Sequence, residues 1–387
     1  MGDALGAPVE FLDRRGIESR FGPNGITDYA EAYGRLGAIT DDTQMTLWTA
    51  EGLIRADNRF HDRGICHMPS VVLGSYYRWL LTQGEEPPQP RVGDTRTGWL
   101  IREKEIWGRR APGNTCLSAL RPRPPQSRLA GEGRGALPPA PSPSPSPSPD
   151  FPVAPNNSKG CGGIMRIAPV GLVTNQPFRF GCEIAALTHG HPTGYLAAGA
   201  FAEIIAGVFH GRDIRTSAHH ALETLAGATR GGRPPSSPVP ALPHETINAI
   251  HLALDLAART KSLPRTIPAE LGEGWIAEES LAIALYCALV APDFRSALIL
   301  AVNHTGDSDS TGSLIGQLLG ARDGPDAIPP EWLDRLEARD IIEHIADDLR
   351  RHFVDPPKGP PPPELPPGEI LGISWPPPDD LDRYPPY

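Results

Sequence analysis

The chain has 387 residues, 46 of them Asp or Glu against 36 Lys or Arg, giving a net charge of −10 with no basic block; this speaks against a nucleic-acid or anionic-membrane footprint. The length can bury one large core or two ordinary ones. No uninterrupted apolar run reaches membrane-spanning length, and no basic-then-apolar leader opens the sequence.

In chain order, apolar residues at three- and four-residue spacing predict helices over 42–56, 70–82, 180–188, 194–209, 245–260, 277–290, 294–303, 311–320 and 331–352. Strand-like alternation is rare. "MRIAPVGLV" at 165–173 is the nearest case, and Pro169 argues against a central strand there. The expected class is all-α. Proline is in excess, 46 of 387 residues, against a usual share of about 5%. It is concentrated in a Pro/Ser-rich insert at 121–155, a shorter loop at 232–243 and a tail at 355–387. The insert has too few large apolar side chains to offset its ordering entropy and is expected to be a disordered spacer; the tail is expected to be extended or loosely docked. The scattered Cys66, Cys116, Cys161, Cys182 and Cys287 lack CxxC spacing. They read as reduced cytoplasmic thiols rather than a disulfide frame or zinc site.

Two predicted helix starts carry an excess of acid. "TDDT" at 40–43 sets Thr40, Asp41 and Asp42 ahead of an amphipathic helix, and "DSDST" at 307–311 does the same with Asp307, Asp309, Ser310 and Thr311. A plain N-cap accounts for one such side chain per helix, since Ser, Thr and Asp satisfy the free N–H groups of the first turn. Neighbouring carboxylates repel, so the surplus implies a positive partner. Carboxylates and hydroxyls are hard donors that suit Mg²⁺, Mn²⁺ or Ca²⁺ rather than zinc. The Asp307–Asp309 spacing matches the start of a calcium loop, but the twelfth position is Leu318 instead of Glu. If both clusters meet, their four carboxylates balance two divalent cations.

Five ordered stretches, "GDALGAPVEF" (2–11), "TDDTQMTL" (40–47), "NNSKGCGGIMRIAPVGL" (156–172), "THGHPTGYLAAG" (188–199) and "NHTGDSDSTGSLIGQLLGA" (303–321), resemble the ADP-ribosylglycohydrolase family. The resemblance implies one orthogonally packed all-helical domain over 1–354, interrupted by the insert, with a dinuclear Mg²⁺ or Mn²⁺ centre at the floor of a cleft. It implies hydrolysis of the N- or O-glycosidic bond joining ADP-ribose to a protein side chain or a small acceptor. Thr40, Asp41, Asp42, Asp307, Asp309 and Ser310 would be metal ligands. Ser310 stands where the family usually has Thr, with Thr311 as a possible substitute. Catalytic roles fall to Glu10, as base or substrate latch, and to Asp42 and Asp309. Gly162, Gly163, Met165 and Arg166 lie in the loop that would wrap the diphosphate and distal ribose, and His189 matches a histidine on the substrate ribose. A base, bound cations and a positioned water suit cleavage through an oxocarbenium-like state.

Plainer roles are expected for the remaining residues. The "GDALG" glycines allow close helix packing, Asp3 is a buried acceptor, Cys161 is inert and His191 is structural. Trp48, Trp79 and Trp107 belong to the core or cleft wall. The family usually has further helical turns before "GDALG", so the first helix is expected to be short. The partner expected is an ADP-ribosylated protein or small conjugate, with nucleic acid only as a modified substrate, no membrane, and a monomer in the cytoplasm. A catalytically weak or inactive ADP-ribose-binding protein of the same fold is the alternative.

Overall fold

A long stretch of Ala, Gly, Ile and Phe, Pro192–Phe209, makes the helix that sits deepest. In the computed structural model, which describes residues 1–88, 96–122, 151–229, 244–355 and 380–386, it is buried along most of its length. Pro192 sits in its first turn, where a missing N–H costs nothing. His191 caps it, Nδ1 accepting from Thr193 N–H at 3.1 Å, the structural role expected of this histidine. By length and apolarity alone this helix could cross a membrane, yet 83% of that stretch is buried inside the protein. A helix apolar all round belongs in a core.

The helices are α1 (Gly2–Gly6), α2 (Arg14–Phe21), α3 (Asp41–Arg63), α4 (Met68–Thr82), α5 (Asn114–Leu120), α6 (Ala168–Val173), α7 (Pro177–Ala186) and α8, the buried helix just described. They continue with α9 (Ile214–Thr229), α10 (His244–Arg259), α11 (Ala277–Val290), α12 (Phe294–Val302), α13 (Ser308–Asp323), α14 (Pro330–Leu333), α15 (Arg339–Leu349) and α16 (Asp380–Arg383). The only sheet among the described residues pairs Glu31–Ala32 with Arg35–Leu36. The class is all-α, as expected. α7, α9, α6 and α11 pack on α8, α4 on α3, and α1 on α13.

The α1–α13 contact explains the first motif. A Cβ at Gly2 would lie 1.8 Å from the Gly312 carbonyl oxygen, and one at Gly6 would lie 2.3 Å from that of Ser308. Only glycine lets the two backbones approach so closely. Asp3, between them, is the buried acceptor expected: it takes the Thr40 N–H at 3.0 and 3.1 Å, the Thr43 N–H at 3.2 Å and the Thr43 hydroxyl. α1 thus fixes the start of α3 to the start of α13.

Several predicted elements shift. Residues 168–173 are helical, with Pro169 in the first turn of α6. The single helix predicted over 331–352 divides into α14 and α15, because Ala338 adopts a left-handed φ of 55°. α2, α5 and α9 went unpredicted. At the end of the proposed insert, Phe151 is buried against Tyr195, with ring centroids 5.6 Å apart, and Ala154 N–H donates to Ala186 O at 2.8 Å. Most of the insert, the 232–243 loop and most of the tail lie outside the described residues. Within the tail, Tyr384 is fully buried, its hydroxyl donates to Asp348 at 2.6 Å, and Asn58 donates to its carbonyl at 2.9 Å. This end is firmly docked on α3 and α15 instead of loosely attached. Trp48 and Trp79 are core residues, and Trp107 is half-buried beneath Lys104.

Candidate active site

Both acidic helix starts use one side chain as a cap. Thr40 Oγ1 accepts from Asp42 N–H at 3.3 Å at the start of α3, and Asp307 Oδ1 accepts from Ser310 N–H at 3.3 Å at the start of α13. That leaves Asp41, Asp42 and Asp309 in excess of what capping needs.

The fold brings the two starts together. The Ser310 hydroxyl donates to Asp42 Oδ2 at 3.3 Å. Carboxylate oxygens of Glu10, Asp307 and Asp309 lie within 4.8 Å of one another, and all three residues are buried. Together with Asp41 and Asp42 they line one cavity of about 470 Å³. The other wall is formed by Gly162, Met165 and His189, and the segment Ala111–Leu117 contributes Asn114 and Thr115.

The electrostatics are those of crowded acids. Burial first, then the negative charges of Asp307, Asp41 and Asp3, push the Glu10 carboxyl up to about 9. Burial likewise raises Asp41, Asp42 and Asp309 well above the usual carboxylate range, with Asp3 acting next on Asp41, Asp41 next on Asp42, and Asp42 next on Asp309. Glu10 Oε2 and Asp42 Oδ1 are buried with no hydrogen-bond partner. Among the described lining residues the only Lys or Arg is Arg109, which is engaged with Glu85. Buried carboxylate oxygens without donors carry a large desolvation cost. A hard divalent cation answers that cost, and these oxygen donors fit one.

The remaining predicted residues separate into those that reach the cavity and those that do not. Thr40 is fully buried and is not among the cavity-lining residues; its hydroxyl serves as the cap. Thr311 is turned away, its hydroxyl against Ala301 O at 2.8 Å and His304 Nε2 at 3.0 Å, so Ser310 and not Thr311 faces the carboxylates. Gly163 lies behind the wall, where a Cβ would meet Ala185 and the His189 ring at 3.3 Å. Arg166, expected on the substrate, is fully buried. Its guanidinium donates to Gly162 O at 2.9 Å and Thr188 Oγ1 at 2.7 Å and stacks 4.4 Å from the centroid of the Tyr76 ring.

Arg166 bears on the cavity through its neighbours. It can only donate, so it occupies one lone pair of the Thr188 hydroxyl, which is hydrogen-bonded to His189 Nδ1 at 2.8 Å. That bond holds the ring with its Nε2 edge toward Gly162, where a Cβ would approach to 3.4 Å. Burial and the nearby Arg166 charge lower His189 to about 3, so the ring is neutral.

Three lining residues were missed or underrated in the sequence. Phe11 and Trp275 are exposed aromatics that stack with ring centroids 6.3 Å apart. Phe11 directly follows Glu10, which was a signal. Trp275, in "GEGW", lay outside every motif considered. Cys161, expected to be inert, donates its thiol to Asp307 Oδ2 at 2.7 Å.

The ADP-ribosylglycohydrolase family model matches residues 1–358. An ADP-ribosyl dinitrogen-reductase glycohydrolase of Rhodospirillum rubrum is 25% identical over 347 residues, which cover 88% of this chain and 87% of that one. An ADP-ribosylhydrolase of Homo sapiens is 28% identical over 219 residues, covering 51% of this chain and 59% of its own. A solved structure titled as an ADP-ribosylglycohydrolase-related protein complex superposes with a TM-score of 0.56 at 25% identity, covering 91% of this chain and 93% of that one. A match over nearly the whole length coincides with five motifs that converge on one acidic cavity. The chain belongs to the ADP-ribosylglycohydrolase family.

Proposed function

We propose that the chain hydrolyses the glycosidic bond between ADP-ribose and a protein side chain or small acceptor, with two Mg²⁺ or Mn²⁺ ions held by Asp41, Asp42, Asp307 and Asp309. The observation that carries this reading is the convergence of four aspartates and Glu10 on one cavity, with oxygens of Glu10 and Asp42 left without partners. Ser310, already within reach of Asp42, adds a hydroxyl donor. When bound, such cations orient ribose hydroxyls and make a water more acidic.

The rest is the work of the chain itself. Glu10 presents Oε2 free of any donor, and in the ionised form of the carboxyl this atom takes the proton of the attacking water. His189, a neutral ring in the cavity wall, offers a hydrogen bond to a ribose hydroxyl across the cavity. Arg166 is a positioning residue that fixes that ring through Thr188. Phe11 and Trp275 offer aromatic faces on which a planar base can stack, an interaction worth roughly 1–3 kcal/mol in single-stranded nucleotide binding. The binding-only alternative predicts eroded carboxylates, and none of the five is lost.

The experiment is a panel of ADP-ribosyl conjugates, linked through arginine, serine, a nucleobase or an acetyl group, incubated with chelated and with Mg²⁺-restored protein. Release of free ADP-ribose from at least one linkage, only in the restored sample, is expected. Retention of ADP-ribose without release from any linkage would give the binding-only reading instead.

A further inference from the structure

The cluster is a hard-oxygen site with one soft atom in its wall. Cys161 Sγ lies 2.7 Å from Asp307 Oδ2. Cys116 also lines the cavity, but its sulfur is occupied by Arg166 Nη1 at 3.5 Å and the Gly162 carbonyl at 3.9 Å. A second observation, independent of the thiol, points to a cation here. Glu10 Oε2 and Asp42 Oδ1 have no partner, on residues only 7% and 2% exposed.

We propose that Cys161 is a sulfur ligand which, with Asp307, gives this cluster a subsite for thiophilic divalent cations such as Zn²⁺, Cd²⁺ or Co²⁺. The inference rests on the cation-binding reading above and adds to it a selectivity that oxygen donors alone do not confer: thiolate favours soft ions, carboxylate hard ones. With Zn–S about 2.3 Å and Zn–O about 2.1 Å, a tetrahedral ion separates sulfur and oxygen by about 3.6 Å. The present contact therefore opens by less than about 1 Å to admit one. Cys161 is only half-buried and begins the short turn Cys161–Gly163, so the shift falls on a turn and not on a long helix. The Ser310 hydroxyl, bonded to Asp42, is a further oxygen donor at the same place. On binding, the S–H bond breaks as the S–metal bond forms, the proton passes to solvent water, and no electron changes hands.

The test is the absorption spectrum of the full chain loaded with Co²⁺. Visible d–d bands report that a cation is bound at all, and a near-ultraviolet thiolate-to-cobalt charge-transfer band reports sulfur ligation. The charge-transfer band is expected in the native protein and in Cys116→Ser, and lost in Cys161→Ser and Cys161→Ala while the d–d bands persist. By competition, Zn²⁺ affinity is expected to fall roughly tenfold or more in Cys161→Ser, and Mg²⁺ affinity far less. Cobalt bound without a charge-transfer band, or with one that survives Cys161→Ser, overturns the sulfur ligand and leaves the cation reading standing. No cobalt bands at all overturn both.

Discussion

Ser310 and Asp42, 268 positions apart in the chain, meet side chain to side chain, the hydroxyl donating to Oδ2 at 3.3 Å. That contact joins the start of α13 to the start of α3, so two acidic clusters that each resemble an ordinary helix cap become one site. The consequences can be tested residue by residue.

Glu10 is assigned the base because Oε2 faces the cluster without a donor. Glu10→Gln keeps the shape and removes the proton acceptor. Turnover is expected to fall about 10²–10⁴-fold, while Mg²⁺ still raises the melting temperature. Steady-state kinetics beside a thermal melt decide it, and turnover at the native rate would remove Glu10 from the chemistry.

Crowded carboxylates should make the stripped protein respond to pH and metal together. Glu10 is raised from its ordinary 4.5 to about 9, so the folded state holds a proton that the unfolded chain has lost. Stability of the chelated protein therefore falls as pH rises through that window. Cations compete with those protons, so the gain in melting temperature on adding Mg²⁺ should be larger at pH 8 than at pH 5. At a concentration 100 times its dissociation constant the ion adds about 2.7 kcal/mol. Asp309→Asn removes one of the repelling charges; at pH 8 it should stabilise the chelated protein, abolish most of the Mg²⁺ gain and abolish activity. A uniform loss of stability, with the Mg²⁺ gain intact, would count against a cation at Asp309.

His189 gives a slope of the opposite sign. Its folded value, about 3, lies below the ordinary 6.5, so the unfolded chain takes up a proton first as pH falls. Stability is lost below about pH 6.5, by up to about 1.4 kcal/mol per pH unit. His189→Gln should flatten that part of the melting-temperature profile and raise KM, because the ring lines the cavity. An unchanged acid slope would mean that His189 is not the buried neutral group described.

Gly6→Ala tests whether close packing builds the site. Its Cβ would fall 2.3 Å from the Ser308 carbonyl oxygen, a backbone collision that must push α1 off α13. Overpacking of this kind costs roughly 1–3 kcal/mol, and activity should drop by more than the folded fraction does, since Asp3 and Glu10 follow α1. Native-like activity per folded molecule would uncouple the packing from the site.

Much of this was legible in the sequence, for reasons that residues make plain. Helix-period apolar spacing located α4, α8, α10, α11 and α12 closely, and the start of α3 but not its end at Arg63, because each buries an apolar face. Surplus acid at residues 41–42 and 307–309 marked the acidic cluster, because capping needs one side chain per helix and each start carries more. What stayed hidden depended on the third dimension. Nothing in "IMRIA" says that Arg166 turns inward to Thr188 and Tyr76 and away from the cavity. Nothing near 311 says that its hydroxyl belongs to Ala301 and His304. The break at Ala338 is a left-handed residue with no glycine to mark it. The docking of Tyr384 is one buried aromatic inside an otherwise proline-rich tail.

The proposed function requires the two acidic helix starts to close around a pair of ions. Mn²⁺ binding to the chelated chain, followed by electron paramagnetic resonance, measures this most directly. Two ions per chain with a spin-coupled spectrum, reduced to one or none in Asp42→Asn and Asp309→Asn, is the predicted result. A single magnetically isolated ion whose binding ignores both substitutions would contradict it.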